Sequence, residues 1–181
     1  MHIGLPRPDC RAALLAAMAC CAGPVAAEEL GRIEAQFGGK NRVWQTVAQA
    51  RGGRVVATAS LRLGPRMTEL YLQGQAEEGD ASRDVFSLSL RYLSPYAEGA
   101  APVFADILYM PEGMGGPFWT SDGAADAPTI RVLTLEIWGA YGRIDALFAG
   151  ELCLRERITA APDPAHCAEV TGRVETELFI E

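Results

Sequence analysis

Histidine and lysine are close to absent from this chain. Of 181 residues, His2 and His166 are the only histidines and Lys40 the only lysine. His2 falls in an N-terminal stretch that reads as a cleaved leader. His166 is then the single imidazole left for any Ser/His/Asp or Cys/His mechanism. It stands beside Cys167, which has no thiolate to offer if it is bridged, so His166 reads as an exposed loop residue. Zinc is excluded on similar grounds, because Cys153, His166 and Cys167 are at most three ligands without a recognisable metal spacing. No G-x-x-x-x-G-K-[ST] or G-x-G-x-x-G occurs, so nothing cradles a phosphate. Asp122 and Asp126 lie close together but lack the alternating oxygen ligands and terminal Glu of a calcium loop. The expectation is a chain with no cofactor, no metal and no catalytic motif.

The scarcity of lysine also bears on partners. The formal charge is −7, and its arginines are scattered. Nucleic-acid affinity comes largely from Lys and Arg on phosphates, so no nucleic-acid partner is expected. Anionic membrane surfaces are disfavoured for the same reason.

Residues 1 to about 27 carry Arg7 and Arg11 ahead of an Ala/Leu/Met run from Ala12 to Ala22, then small residues Val25, Ala26 and Ala27 before Glu28. This is the pattern of a secretory signal, too short to span a bilayer as a helix. Residues 28–181 are therefore expected to form one exported domain, periplasmic or extracellular, with no transmembrane segment. A second reading is lipid attachment at Cys20, although Ala17, Met18 and Ala19 before it lack the Leu usual in such a motif. Cys10, Cys20 and Cys21 belong to the leader, which leaves Cys153 and Cys167 as an even pair for a disulfide. Closing a loop of about 15 residues is worth about 3 kcal/mol.

Alternation of apolar and polar residues predicts strands along the remainder. Ile33, Ala35 and Phe37 mark a first strand before Gly38-Gly39. Val43–Ala50 and Val55–Leu63 flank Gly52-Gly53 as a hairpin, with Trp44 set against Leu61, Thr46 against Ala59 and Ala48 against Ala57. Met67–Gln73 and Asp84–Leu93 follow, the second with Phe86, Leu88, Leu90 and Tyr92 on one face. Val103–Met110 fits a helix start after Pro102 or a strand apolar on both faces, and its eight-residue length before Pro111 favours the strand. The last quarter predicts three strands, with Leu133, Leu135 and Ile137 sharing a face on the first. If Cys153 faces Cys167 in an antiparallel pair, Phe148 falls against Gly172 and Gly150 against Val170.

About nine short strands point to an all-β fold: an antiparallel β-sandwich, or alternatively an 8–10-stranded, lipocalin-like β-barrel, with little helix outside the leader. The G-x-W expected of a lipocalin is missing, since Arg42-Val43 precede Trp44.

Pro111 to Pro128 is the longest stretch without periodicity, and long loops of this kind usually carry function. Its Met114, Phe118 and Trp119 form the candidate partner-binding loop. The aromatic pair reads either as an anchor presented to a partner or as a plug for an open end of the sheet. Asp106, in an otherwise apolar run, is the one carboxylate that suggests acid–base chemistry. The expected function is a non-enzymatic binding or structural module acting on a protein or envelope component. Two alternatives are a carrier of a small apolar ligand inside a barrel and a carboxylate-based hydrolase.

Overall fold

The computed structural model describes residues 27–77 and 81–181. The expected signal segment, and with it the lipid-attachment alternative at Cys20, lies outside the described residues, Ala27 excepted. The described chain is nearly all strand: β1 (Glu28–Phe37), β2 (Lys40–Arg51), β3 (Arg54–Ala57), β4 (Ala59–Leu63), β5 (Met67–Gln75), β6 (Val85–Leu93), β7 (Phe104–Met110), β8 (Phe118–Thr120), β9 (Thr129–Trp138), β10 (Tyr141–Arg155) and β11 (Asp163–Ile180). A single 3₁₀ turn, Gly113–Gly115, is the only helical element among the described residues. Among the described residues no helix is long and apolar enough to cross a membrane.

The eleven strands form one sheet in the order β3-β2-β1-β11-β4-β5-β6-β7-β8-β10-β9, and β11 also pairs with β10 and β2 with β5. The β11–β10 ladder turns β4 through β8, β10 and β11 into a closed ring of hydrogen-bonded strands. This is the all-β class expected, with barrel-like closure around one core. Inward residues alternate with outward ones, so the interior is filled from every wall: Ile33 on β1, Trp44 on β2, Leu72 on β5, Leu88 on β6, Ile107 on β7, Ile144 on β10 and Val174 on β11 are all buried in one cluster. Rings from separated strands meet at its centre, Trp44 stacked on Phe86 (4.6 Å) and Phe86 tilted against Phe148 (5.6 Å).

Two hairpins rest on paired glycines. Gly38 and Gly39 (φ 56° and 75°) join β1 to β2, and Gly52 and Gly53 (φ 57° and 76°) join β2 to β3; both central positions of such turns need the left-handed region. The expected register of the second hairpin holds from Arg51–Arg54 to Ala48–Ala57. It then fails, because Trp44 pairs with Ile33 of β1 and Thr46 with Gly31, while Leu61 pairs with Leu70 and Ala59 with Leu72 of β5. The switch occurs at Thr58. Its N–H donates to the Val47 carbonyl (2.8 Å), its Oγ1 accepts from the Val47 N–H (2.9 Å), and its carbonyl accepts from Gln73 N–H (2.7 Å). Thr58 thus satisfies strands on both sides while the chain passes from one to the other.

At the C-terminal end the expected register is observed from Tyr141–Phe179 to Cys153–Cys167, with Phe148 against Gly172 and Gly150 against Val170; the two cysteines form a disulfide, and the register shifts beyond them at Leu154–Asp163. One detail of β9 differs from expectation. Val132 and Thr134 pair with the consecutive residues Ala146 and Asp145, so Leu133 is an extra residue in a bulge. Leu133 is 41% exposed, and it is Val132 and Leu135 that pack toward the core.

Residues 103–110 are a strand, β7, as favoured above. The Pro111–Pro128 stretch is not structureless: it holds the 3₁₀ turn and β8, which is wedged between β7 and β10. Three residues are too few for a period to show in sequence.

Candidate functional site

The outer face of β5 to β8 carries a groove of about 880 Å³. Its floor follows from strand alternation. On β7, Ile107 and Tyr109 point into the core, so Asp106, Leu108 and Met110 point out. On β6 the outward residues are Val85 and Ser87, and on β8 they are Phe118 and Thr120. Outward residues of a barrel are ordinarily solvated, yet Val85, Ser87, Phe118 and Thr120 are buried. Residues 121–128 and the segment containing Arg155 and Ile158 rise beside them as walls.

A hydrogen-bonded bracket holds one wall to the floor. Ser121 N–H donates to the Ile107 carbonyl (2.9 Å), and its Oγ accepts from Ile107 N–H (2.9 Å) while donating to Asp106 Oδ1 (2.7 Å). Asp122 N–H donates to Thr120 Oγ1 (3.1 Å), and the Asp122 carboxylate is paired with Arg155. Asp126 is exposed and, among the described residues, unpaired. Arg155 Nε is buried without an acceptor. The groove therefore has a floor that mixes apolar Val85, Leu108, Met110 and Phe118 with polar Ser87, Asp106 and Thr120, and it sets three carboxylates against one guanidinium. A second concavity of about 510 Å³ shares Tyr71, Gln73 and Ala81 with it and continues past Val56 of β3. Together they make one track across the outer wall.

The sequence-derived candidates divide over this geometry. Met114 sits at the rim, 67% exposed, and Phe118 lies in the floor, 3% exposed. Trp119, next to Phe118 on β8, faces the other way and packs edge-on against Phe37 (5.2 Å) at the core. Asp106, Asp122 and Asp126, weighed above for separate chemistries, line one groove. Ser121, Arg155, Leu108 and Met110 were not singled out; the signal for the last two was present in β7, whose alternate residues are apolar on both faces.

Cys153 and Cys167 contribute nothing to the groove's chemistry. Glu151 has its carboxylate within 4.8 Å of both sulfurs, but the sulfurs are bonded to each other and leave no thiolates for a metal. His166 is exposed, with Nδ1 2.6 Å from Asp163 Oδ2. That hydrogen bond, with a second from Ala165 N–H, holds the Asp163 carboxyl below its ordinary pKa.

A separate polar knot closes the barrel end near β2 and β6. Asp84 accepts from Trp44 Nε1–H (2.9 Å) and lies 3.7 Å from Arg42, whose guanidinium stands over the Tyr109 ring (5.3 Å). Burial, and then the hydrogen bond to Asp84, push the Tyr109 phenol well above its usual range.

Comparison with protein-family models, curated proteins and solved structures finds no match for the chain.

Proposed function

We propose that this protein is an exported, non-enzymatic binding module whose ligand is an extended peptide segment of a partner protein, apolar with a basic residue, seated in the outer groove. The observation that carries this reading is the groove itself: outward-facing strand positions that are buried or half-buried, apolar at Val85, Leu108, Met110 and Phe118, with the carboxylates of Asp106, Asp122 and Asp126 lining the same groove. Each chemical feature of such a segment has a counterpart. Apolar side chains meet Leu108, Met110 and Phe118, and a lysine or arginine meets Asp106 and Asp126. The length of the track toward β3 favours an extended occupant over a compact one. Against a carrier function stands the interior, which is filled by the core cluster, whereas the groove is outside it. The disulfide supports an oxidising compartment.

The test is a calorimetric titration with two blocked peptides, acetyl-Leu-Leu-Lys-Leu-amide and its glutamate counterpart. The lysine peptide is expected to bind at least about tenfold more tightly, with a margin that shrinks on raising salt and in Asp126→Asn. Equal affinity for the two peptides, or no binding of either, overturns the proposal.

A further inference from the structure

The sheet has two terminal strands, and they are unlike. β3 is four residues long and starts at Arg54, which pairs with Arg51 of β2, a short edge of the kind that resists further pairing. β9 is ten residues long, contains neither proline nor glycine, and pairs on one side only, with β10. No other backbone hydrogen bond reaches it among the described residues. Exposed apolar residues cluster on the same hairpin: Leu133, Ile137, Trp138 and Tyr141.

The bulge makes this edge complementary to itself. In a regular strand Arg131 and Glu136, five residues apart, would lie on opposite faces, and no two-fold axis normal to the sheet could set one against the other. The extra residue Leu133 puts both on the outward face, opposite Leu147 and Arg143 of β10. A second β9 laid antiparallel about a two-fold through the bulge then sets Arg131 against the copy's Glu136, and Glu136 against the copy's Arg131. On the inward face Val132 meets Leu135 and Ile130 meets Ile137. Neither Arg131 nor Glu136 makes an ion pair among the described residues, while neighbouring Arg143 and Asp145 are already engaged by Glu175 and Arg173.

We infer that the free edge of β9 is a dimerisation surface for a second copy of this chain, joined by antiparallel β9–β9 pairing and fixed in register by two reciprocal Arg131–Glu136 pairs. The inference is independent of the groove, none of whose lining residues lies on β9.

Light scattering on the purified domain at roughly 100 µM tests it. The wild type is expected at twice the monomer mass. Arg131→Glu and Glu136→Arg, both at exposed positions, are each expected to weaken dimerisation at least about tenfold by setting like charges together, and the double reversal is expected to restore it. Thr134→Cys, beside the two-fold, is expected to give a covalent dimer on mild oxidation. A monomeric wild type overturns the inference, and so does a dimer indifferent to the single reversals or one that the double reversal does not restore.

Discussion

The ring of Phe148 occupies the space that a side chain at Gly172 would need. The two residues are partners across β10 and β11, and a Cβ at position 172 would overlap the ring on one side and the Glu34 carbonyl oxygen of β1 on the other. Gly172→Ala is therefore expected to lower stability by about 1–3 kcal/mol through overpacking. Phe148→Ala alone is expected to cost about 3–5 kcal/mol. Urea denaturation of the double variant should show less than the summed loss, since Phe148→Ala removes the ring clash that Gly172→Ala creates, leaving only the conflict with the Glu34 carbonyl.

Asp84 is the one non-glycine residue with positive φ, 49°, among those described, and it holds the indole N–H of Trp44. Asp84→Ala loses the acceptor and leaves a part-buried donor unpaired, which should cost about 1–3 kcal/mol. Asp84→Asn retains a carbonyl acceptor and tolerates the left-handed backbone, so a smaller loss is expected. Equal losses in the two variants by thermal or urea unfolding would remove the Trp44–Asp84 bond from the account.

Reduction of Cys153–Cys167 should weaken the protein without unfolding it. The disulfide closes a loop of about 15 residues, worth about 3 kcal/mol. The ladder from Tyr141–Phe179 to Leu152–Ala168 does not depend on it. Urea midpoints measured with and without reductant should differ, while far-ultraviolet dichroism in buffer should not. Alkylation of either cysteine without prior reduction would show that the bond does not form.

Alkaline pH above about 10 should destabilise the fold through its buried phenols. Burial, with Tyr96 beside it, pushes the Tyr92 phenol up to about 12, and the Tyr109 phenol is raised as well. A raised phenol contributes stability that is fully present below the unfolded-chain value of about 10 and is lost as pH climbs through the folded value. For Tyr92 the window is therefore between those two values. The Tyr92 hydroxyl is buried without a partner among the described residues, so Tyr92→Phe should be neutral or stabilising at pH 7. It should also flatten the alkaline limb of the stability curve. A marked loss at neutral pH would contradict this.

Legibility in the sequence followed local redundancy. The β10–β11 register could be read because one cysteine pair, two glycines and two alternating faces all demanded the same alignment. The Gly52-Gly53 turn was equally clear. The switch at Thr58 was not, because Ala57-Thr58-Ala59 keeps the same alternation whether the strand stays beside β2 or crosses to β5. The bulge at Leu133 was hidden because Val132 and Leu133 are consecutive apolar residues, either of which continues an alternation with Leu135 or Ile130. Met114 and Phe118 were found through the loop that carries them, but the groove they line was not. Its floor is the outer face of β7, where Leu108 and Met110 read as the second side of a buried strand rather than as a surface.

The central claim is that the outer groove of β5 to β8 receives an apolar, basic segment. Residues 27–181 contain three methionines, of which Met110 and Met114 line the groove and Met67 does not. Carbon-13 methyl spectra of methionine-labelled protein, titrated with acetyl-Leu-Leu-Lys-Leu-amide, report on the groove directly. The account predicts saturable shifts of the Met110 and Met114 methyls with Met67 unmoved. A spectrum in which neither groove methyl responds, or in which Met67 shifts as they do, would contradict it.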